Sequence, residues 1–193
     1  MGARSSSRGT YRRRLSIRPF LILLVVFFLA VTALNRDMLI RPRIRYLDEI
    51  KLHCRELGED LPLVLAVIQT ESRFREDAVS PKGAVGLMQV TPDTGRWMAE
   101  RLGLDGFTEE RLYERQWNLT IGISYIQYLR RQFPDNLTQV VAAYNAGPTR
   151  VRGWLDTGEW DGSLESADHI PYPETRAYVR KVLSAYAYFS ENY

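Results

Sequence analysis

Hydrophobic residues recur at helical spacing in six stretches between residues 47 and 193. Apolar side chains three or four positions apart lie on one face of a helix, so each stretch predicts a helix with one buried face. The third stretch, which ends before Pro134, predicts the longest helix. The six apolar faces consist of Leu47, Ile50, Cys54 and Leu57; Leu63, Val64, Val67 and Ile68; Trp117, Ile121, Tyr125, Tyr128 and Leu129; Leu137, Val140, Val141 and Tyr144; Val151, Trp154 and Leu155; and Val179, Val182, Leu183 and Tyr186.

Capping residues set the boundaries of these helices and add another. Asp60 and Pro62 are typical of a helix start, and Thr91 followed by Pro92 predicts a helix that Gly103 closes after Leu102. No stretch alternates polar and apolar residues over the length of a strand. The turn-rich segment 77–86 has room for one small hairpin. The sequence therefore predicts a mainly α fold with at most a minimal β-hairpin.

An uncharged apolar run of fifteen residues, 20–34, precedes this helical region. It is short for a membrane-spanning helix, which usually takes about 17–25 residues, and long for the apolar core of a signal peptide, about 7–15. Six arginines and no acid precede the run, which favours a cytoplasmic N-terminus. We favour an uncleaved, single-pass membrane anchor with the rest of the chain on the outer, cell-wall side. Cleavage after Ala33, which would release a secreted protein, is the alternative.

The charge distribution separates the N-terminus from the rest of the chain. Residues 1–45 contain ten arginines and one acid, a charge of +9, so the net charge of +3 leaves −6 for residues 46–193. A mildly acidic folded part argues against nucleic acid as a partner. We expect four regions: a disordered basic tail at 1–19, the anchor at 20–34, a linker at 35–45 and one folded domain at 46–193. The sequence does not identify a protein partner.

Cysteine and histidine are too few for a metal cluster or an internal disulfide. Cys54 is the single cysteine, and the two histidines, His53 and His169, lie far apart in the sequence. We therefore expect no metal and no cofactor.

Glu71 is the carboxyl group that the helical pattern singles out. It follows Leu63, Val64, Val67 and Ile68 on the same predicted helix face. A carboxyl group against apolar surface loses hydration, which raises its pKa. A carboxylic acid with a raised pKa can act as a general acid near neutral pH. The alternative is an ordinary helix-end glutamate paired with an arginine at position 73 or 75.

Four short motifs occur in order along the helical region. They are Glu71-Ser72; Gly86-Leu87-Met88-Gln89; Ala143-Tyr144-Asn145-Ala146-Gly147; and Pro171-Tyr172-Pro173-Glu174-Thr175-Arg176 with Tyr178-Val179. Together they resemble the soluble-type lytic transglycosylases of glycoside hydrolase family 23. The resemblance covers residues 61–186 and implies a lysozyme-like fold of the goose-type class. It implies that residues 46–193 are a catalytic domain acting on peptidoglycan glycan strands.

The first two motifs carry the implied catalytic group and one side of the groove. The resemblance implies that Glu71 is the single catalytic acid and base. It implies that Ser80, Met88 and Gln89 contact the sugar beside the bond that is cleaved. A glutamine side chain has donors and acceptors that suit an N-acetyl amide. Plain core packing is the alternative for Met88.

The last two motifs carry the implied supporting groups. The resemblance implies that the Tyr144 hydroxyl lies near the catalytic carboxyl and that Asn145 shapes the turn beside it. It implies that Tyr172 lines the same wall and that Glu174 is buried behind the site, where it orders the glutamate and the tyrosine. The alternative for Glu174 is a first-turn acid favoured by the helix dipole.

The implied reaction cleaves the β-1,4 bond between N-acetylmuramic acid and N-acetylglucosamine and leaves a 1,6-anhydromuramoyl end. Two other functions stay open. One is a muramidase that hydrolyses the same bond with water. The other is a cell-wall-binding or scaffold protein that uses the groove without catalysis.

Overall fold

Seven α-helices and two 3₁₀ segments make up the regular structure of residues 44–193, which are the residues that the computed structural model describes. The predicted basic tail, the apolar run and most of the linker lie outside this part. None of the helices within residues 44–193 is both long enough and apolar enough to span a membrane. The helices are α1 Leu47–Leu57, α2 Leu61–Glu71, α3 Pro92–Leu102, α4 Arg115–Gln132, α5 Leu137–Ala146, α6 Pro148–Asp156 and α7 Pro173–Asn192, with 3₁₀ segments at Glu109–Tyr113 and Ala167–His169.

The predicted helix boundaries are confirmed, with one correction to relative length. Gly58 and Gly103 end α1 and α3 in the left-handed conformation, and Thr91 caps α3 through a hydrogen bond from the Thr94 amide. The prediction that α4 is the longest helix is wrong, because α7 has 20 residues and α4 has 18. No glycine or proline interrupts α7 after Pro173, so the helix continues beyond its apolar face.

The helix α2 forms the centre of the core. Every side chain from Leu63 to Ile68 is buried, not only the predicted face. It packs along α7 on one side and against α1 on another. A helical stretch that is apolar on all sides lies inside the core. The sequence analysis predicted only one buried face of α2, whereas the stretch is buried on every side. The burial of residues 63–68 fixes α2 in the core and carries its end, Glu71, to the edge of the core.

The segment between α2 and α3 approaches a hairpin without forming a regular strand. Two isolated antiparallel bridges join Val85 to Val79 and to Val90. Gly86 turns with φ +79, and a Cβ atom there would lie 2.3 Å from the Asn118 amide nitrogen. Only glycine fits this position without strain and without a clash. The predicted limit of a minimal hairpin is confirmed for the described part of the chain.

Buried residues hold the loop between α6 and α7 in place, although its sequence is largely polar. Trp160, Ala167 and Ile170 are fully buried. The Trp160 indole donates a hydrogen bond of 3.0 Å to the Ser163 carbonyl. These contacts fix the position from which α7 starts.

Candidate active site

Glu71 is the last residue of α2, where the buried helix reaches the edge of the core. The Ser72 amide closes the helix by donating to the Ile68 carbonyl at 3.0 Å. The chain then turns through positive φ angles at Arg73 and Phe74. The Glu71 side chain therefore leaves the core at a helix C-terminus, where the helix dipole disfavours a negative charge.

The Glu71 carboxyl has a strongly raised pKa. Its pKa is raised from 4.5 to about 7, and burial is the largest cause. The hydrogen bond from the Tyr178 hydroxyl lowers the pKa, and the negative charge of Glu174 contributes to the rise. The sequence-based prediction of a raised pKa is confirmed. Arg73 and Arg75 are exposed, and neither forms an ion pair with Glu71 within residues 44–193.

Two buried tyrosine hydroxyls lie close to this carboxyl. Burial and the charge of Glu71 raise the pKa of both Tyr144 and Tyr178 well above 10. Tyr144 donates a hydrogen bond of 2.8 Å to the Met88 carbonyl. The Tyr178 hydroxyl is buried and has no hydrogen-bond partner of standard geometry in the described residues. The Tyr178 hydroxyl interacts with the Glu71 carboxyl, because each of the two groups shifts the pKa of the other.

Gln89 presents a carbonyl oxygen and no spare amide hydrogen. Its Nε2 donates to the Ala78 and Gly86 carbonyls, both at 3.0 Å. Both amide hydrogens are therefore used to hold the turn, and Oε1 accepts no hydrogen bond within residues 44–193. The backbone of Gln89 has φ 49, which is rare for a residue other than glycine. This arrangement leaves an acceptor for an N–H group and corrects the expectation of a side chain that also donates.

Met88 does not reach the groove with its side chain. It is fully buried, and a Cβ atom on Gly122 would lie 2.5 Å from its sulfur. The predicted contact between the Met88 side chain and a sugar is therefore wrong, and the core-packing alternative describes it. Its backbone matters instead: the amide donates to Asn118 Oδ1 at 2.8 Å, and the carbonyl accepts from Tyr144.

Ser80 holds the turn that faces the start of α7. Its Oγ accepts a hydrogen bond of 3.0 Å from the Ala84 amide, and its own amide donates to the Ala84 carbonyl at 2.8 Å. The hydroxyl hydrogen is still available as a donor, because Oγ acts only as an acceptor in this turn. Ser80 is partly exposed, so a ligand can reach it.

Asn145 and Tyr172 both lie beside the end of α5 and the start of α7. Asn145 Oδ1 accepts a hydrogen bond of 2.7 Å from the buried Thr175 hydroxyl. The Tyr172 ring lies edge-on to Trp154, with 5.3 Å between ring centroids, and the Arg150 guanidinium lies 5.7 Å from its centroid. Asn145 thus joins α5 to α7, and Tyr172 forms an exposed aromatic wall.

Glu174 is exposed, and the prediction of a buried glutamate behind the site is wrong. Its side chain is 71% exposed and pairs with Lys82, which is 78% exposed, at 3.3 Å. The reason is its place in the first turn of α7, directly after Pro173, where an acid is favoured by the helix dipole. The inward positions of that turn belong to Thr175 and Tyr178. Glu174 still acts on Glu71 through its charge.

A cleft of about 230 Å³ lies between α3, α4 and α5. Its lining includes Gln89, Tyr125, Tyr144, Asn145 and Arg150. Glu71 does not line the cleft itself; it is linked to it through Tyr144, whose hydroxyl pKa its charge raises. The cleft offers aromatic faces, hydrogen-bonding groups and one cation next to a carboxylic acid.

The sequence analysis assigned no role to two important residues. Tyr178 was part of the last motif, and its helical spacing from the buried Thr175 and Val182 is the signal that could have identified it as inward-facing. Asn118 is buried on α4 and also donates to the Val85 and Leu112 carbonyls, both at 2.9 Å. The one feature of the sequence that could have identified Asn118 is that it is a polar residue within the apolar face of α4. No group of three His, Cys, Asp or Glu side chains within residues 44–193 is arranged to hold a metal ion.

The known proteins and the domain family that this chain is similar to are all transglycosylases. The model of the transglycosylase SLT domain matches residues 53–165. The soluble lytic murein transglycosylase of Escherichia coli K12 is 38% identical over 138 residues, which are 68% of this chain and 21% of that protein. The membrane-bound lytic murein transglycosylase C of Haemophilus influenzae strain PittGG is 35% identical over 158 residues, 77% of this chain and 43% of that protein.

A solved structure extends the likeness to three dimensions. The chain superposes on an inactive glutamate-to-glutamine mutant of the lytic transglycosylase Slt from Pseudomonas aeruginosa with a TM-score of 0.70 and 31% identity. The match covers 79% of this chain and 25% of that one. The chain thus spans about a fifth of the length of the E. coli relative and a quarter of this structure. The resemblance seen in the motifs is confirmed, and the chain belongs to the transglycosylase SLT domain family, with a lysozyme-like fold.

Proposed function

We propose that this protein is a peptidoglycan lytic transglycosylase. It cleaves the β-1,4 bond between N-acetylmuramic acid and N-acetylglucosamine and forms 1,6-anhydromuramoyl ends. The observation that carries the proposal is Glu71, a carboxyl group with a pKa of about 7 whose charge acts on Tyr144, a residue that lines the polar, aromatic cleft. The names of the relatives, which are lytic murein transglycosylases, support the substrate and the reaction.

In the first step, protonated Glu71 donates its proton to the oxygen that bridges the two sugars. The bond from this oxygen to C1 of the muramoyl sugar then breaks, and the substrate's own acetamido group stabilises the cationic carbon. A pKa near neutrality keeps much of the acid protonated at working pH. The Gln89 carbonyl oxygen is suited to accept the N–H of the acetamido group.

In the second step, the Glu71 carboxylate accepts the proton of the C6 hydroxyl, and O6 attacks C1. The anhydro ring closes and Glu71 regains its proton, so the residue ends in its starting state. Intramolecular attack avoids the entropic cost of capturing a separate nucleophile.

The other acids near the site support this route over hydrolysis. A two-carboxylate hydrolase needs a second group across the bond, about 5–5.5 Å away for retention or about 6.5–9.5 Å for inversion. Glu76 is bound by Tyr46 and Arg115, and Asp93 pairs with Arg96. Asp77 is exposed, with no effect on the pKa of Glu71. Among the acids of residues 44–193, only Glu174 affects the pKa of Glu71, and it pairs with Lys82. A muramidase would therefore depend on Glu174.

Mass spectrometry of digested peptidoglycan separates the two reactions. A transglycosylase leaves muramoyl ends lighter by one water than hydrolysed ends, and these ends resist borohydride reduction. We expect this product from the parent protein and from Glu174→Gln. Predominantly reducible muramic acid ends, lost in Glu174→Gln, would identify a muramidase instead.

Zymography with Glu71→Gln separates catalysis from wall binding. Glutamine keeps the shape of the side chain but cannot transfer the proton, so we expect a loss of at least about 10²–10⁴-fold. Glu165→Gln, on the exposed loop before α7, is the matched control and should keep its clearing activity. Equal clearing by Glu71→Gln and the parent protein would overturn the role of Glu71, and no clearing by any form would indicate a wall-binding or scaffold protein.

We further propose that the protein is membrane-anchored, with residues 46–193 as its catalytic domain on the outer side. The apolar run at 20–34 and the six arginines before it support this topology, with residues 1–19 in the cytoplasm and 35–45 as the linker. The H. influenzae relative is also named membrane-bound. Cleavage after Ala33 remains the secreted alternative.

A further inference from the structure

A short segment without helix or strand connects the proposed acid to the turn that carries Gln89. It comprises residues 72–78, directly after Glu71, and we call it the connecting segment. At its far end, the Ala78 carbonyl accepts hydrogen bonds from Gln89 Nε2 at 3.0 Å and from the Gly86 amide at 2.9 Å. The path of the connecting segment therefore sets where Glu71 lies relative to the Gln89 turn.

The connecting segment begins with a backbone turn that its residue types do not favour. Arg73 and Phe74 have φ angles of 54 and 61. Residues other than glycine adopt such angles at a cost in energy, so the surrounding contacts must hold the turn in place. Phe74 is buried, and the Ser72 carbonyl accepts from the Arg75 amide and from Arg75 Nε, both at 3.2 Å. These contacts hold the start of the segment.

Arg115, the first residue of α4, holds the middle of the connecting segment through Glu76. Its guanidinium pairs with Glu76 and, at 2.9 Å, with Glu49 on α1. The Tyr46 ring centroid lies 4.4 Å from the same guanidinium, and the Tyr46 hydroxyl donates to Glu76 at 2.9 Å. We call these four residues the Arg115 clamp. A guanidinium that binds two carboxylates and stacks on a ring has one orientation, so Glu76 is fixed relative to α1 and α4.

The groups that face Glu71 itself come from other parts of the domain. Tyr178 and Glu174 on α7 shift its pKa, and the charge of Glu71 shifts the pKa of Tyr144 on α5. None of these three residues belongs to the Arg115 clamp. The clamp is linked to Glu71 by the backbone of the connecting segment, which ties the end of α2 to a fixed point five residues later.

We propose that Arg115 and Glu76 are positioning residues for the reaction, which keep the Glu71 carboxyl buried and aligned with the Gln89 turn. The inference rests on the proposed function, because it assigns the two residues to the step in which Glu71 transfers its proton. Without the clamp, the connecting segment relaxes from its positive φ angles and water reaches the carboxyl. Hydration favours the ionised form, so less of the acid is protonated near neutral pH.

Carbon-13 NMR of the glutamate carboxyl groups tests the Arg115 clamp without depending on activity. The Glu71 signal is assigned by its absence from Glu71→Gln, and its titration is followed on the full chain in detergent. We expect the midpoint of about 7 to fall by about one pH unit in both Arg115→Gln and Glu76→Gln, toward the 4.5 of a hydrated carboxyl. Turnover of peptide-free glycan strands at pH 7 should fall about five- to tenfold in both variants, because the acid is mostly ionised and less well aligned.

The pair of substitutions separates positioning from a direct effect of charge. Arg115→Gln removes a positive charge, and Glu76→Gln removes a negative one. An effect of charge alone would therefore raise the Glu71 midpoint in Arg115→Gln and lower it in Glu76→Gln. Loss of position lowers the midpoint in both variants.

Arg130→Gln is the matched control, since Arg130 lies near the other end of α4. It pairs at 2.9 Å with Glu59, whose side chain is 4% exposed. Its removal should lower the urea midpoint of unfolding at least as much as Arg115→Gln does, because a buried carboxylate loses its partner. The Glu71 titration and the turnover of Arg130→Gln should equal those of the parent.

Three results would overturn the positioning role of Arg115 and Glu76. They are an unchanged Glu71 midpoint in both variants, shifts in opposite directions, and an equal shift in Arg130→Gln, which would trace the effect to stability alone. Absence of 1,6-anhydro products from the parent would instead contradict the proposed function. The titration would then still decide whether the Arg115 clamp holds Glu71.

Discussion

Glu71 shows how a single residue acquires its chemistry from its place in the fold. Its carboxyl is held at the end of a helix whose residues 63–68 are all buried, and burial favours the neutral form. The negative charge of Glu174 acts in the same direction, while the Tyr178 hydroxyl stabilises the ionised form. The balance keeps the proton available to a leaving group near neutral pH.

The raised pKa predicts how stability depends on pH. The folded protein holds the Glu71 proton up to about pH 7, whereas the unfolded chain releases it near 4.5. Between these values the native state binds more protons, so its stability falls as pH rises. The full difference is roughly 3 kcal/mol. Glu71→Gln has no carboxyl group to titrate, so its stability does not fall in this way. Urea unfolding at pH 4 and pH 8 should show that the free energy of unfolding of Glu71→Gln, relative to that of the parent, increases with pH by up to this difference.

Glu165→Gln serves as the control for this measurement, since residue 165 lies on an exposed loop. Its stability relative to the parent should stay constant with pH. Parallel curves for the parent and Glu71→Gln would show that Glu71 has an ordinary pKa, and its role as a neutral-pH acid would be lost.

Tyr144→Phe removes the hydrogen bond to the Met88 carbonyl but keeps the ring against Tyr125. We expect it to lower the free energy of unfolding by about 0.5–1.5 kcal/mol. Activity should fall more than this loss explains, because the hydroxyl lies close to Glu71. Chemical denaturation and peptidoglycan release assays measure the two effects. Strong destabilisation with normal specific activity would assign Tyr144 to the core alone.

At the scale of elements, α4 holds the loop that carries Gln89. Asn118 binds the Met88 amide and the Val85 and Leu112 carbonyls, and Gly122 makes room for the Met88 side chain. These contacts fix the turn from within the core. The groove side of the turn is thereby left to Gln89 and Ser80.

Asn118→Ala would remove the side-chain partner of the Met88 amide and of the Leu112 carbonyl, whereas the Val85 carbonyl keeps its hydrogen bond from the Val90 amide. We expect a loss of about 2–4 kcal/mol in the free energy of unfolding. Affinity for short glycans should also weaken, since the Gln89 turn loses its support. Gln116→Ala, on an exposed position of the same helix, should change stability by no more than about 0.5 kcal/mol. Equal unfolding free energies for the two variants would contradict the supporting role of Asn118.

At the scale of the whole molecule, the entry of the chain into the domain is tied to the segment that follows Glu71. The Tyr46 hydroxyl donates to Glu76 at 2.9 Å, and Arg115 pairs with both Glu76 and Glu49. The Arg115 guanidinium also lies 4.4 Å from the Tyr46 ring centroid. Tyr46, just before α1, is therefore fixed relative to α1, α4 and the loop after α2.

The proposed topology predicts where the end of the chain lies in the cell. A reporter that is active only outside the cytoplasm, fused after Tyr193, should give signal, because arginines before residue 20 favour a cytoplasmic N-terminus. A cytoplasmic reporter at the same position should be silent. Replacing the six arginines with glutamine should weaken this orientation. Signal from the cytoplasmic reporter in the parent protein would reverse the proposed localisation.

The sequence by itself determined the helices and singled out Glu71 as the candidate acid. Periodic apolar residues and local caps such as Thr91, Gly58 and Gly103 act within one or two turns, so their effects can be read from neighbours along the chain. The motifs, met in order, also pointed to the family. The position of Glu71 on an apolar helix was enough to predict a raised pKa.

Only the tertiary structure decided which groups surround Glu71 and which of them face a ligand. Met88 and Glu174 exchange their expected environments, since Met88 fills the space over Gly122 and Glu174 turns outward to Lys82. Tyr178 reaches Glu71 from α7, more than a hundred residues along the chain. Burial and long-range hydrogen bonds depend on how helices that are distant in sequence pack together. The periodicity of a sequence shows which face of a helix is buried, but not which other helix packs against that face.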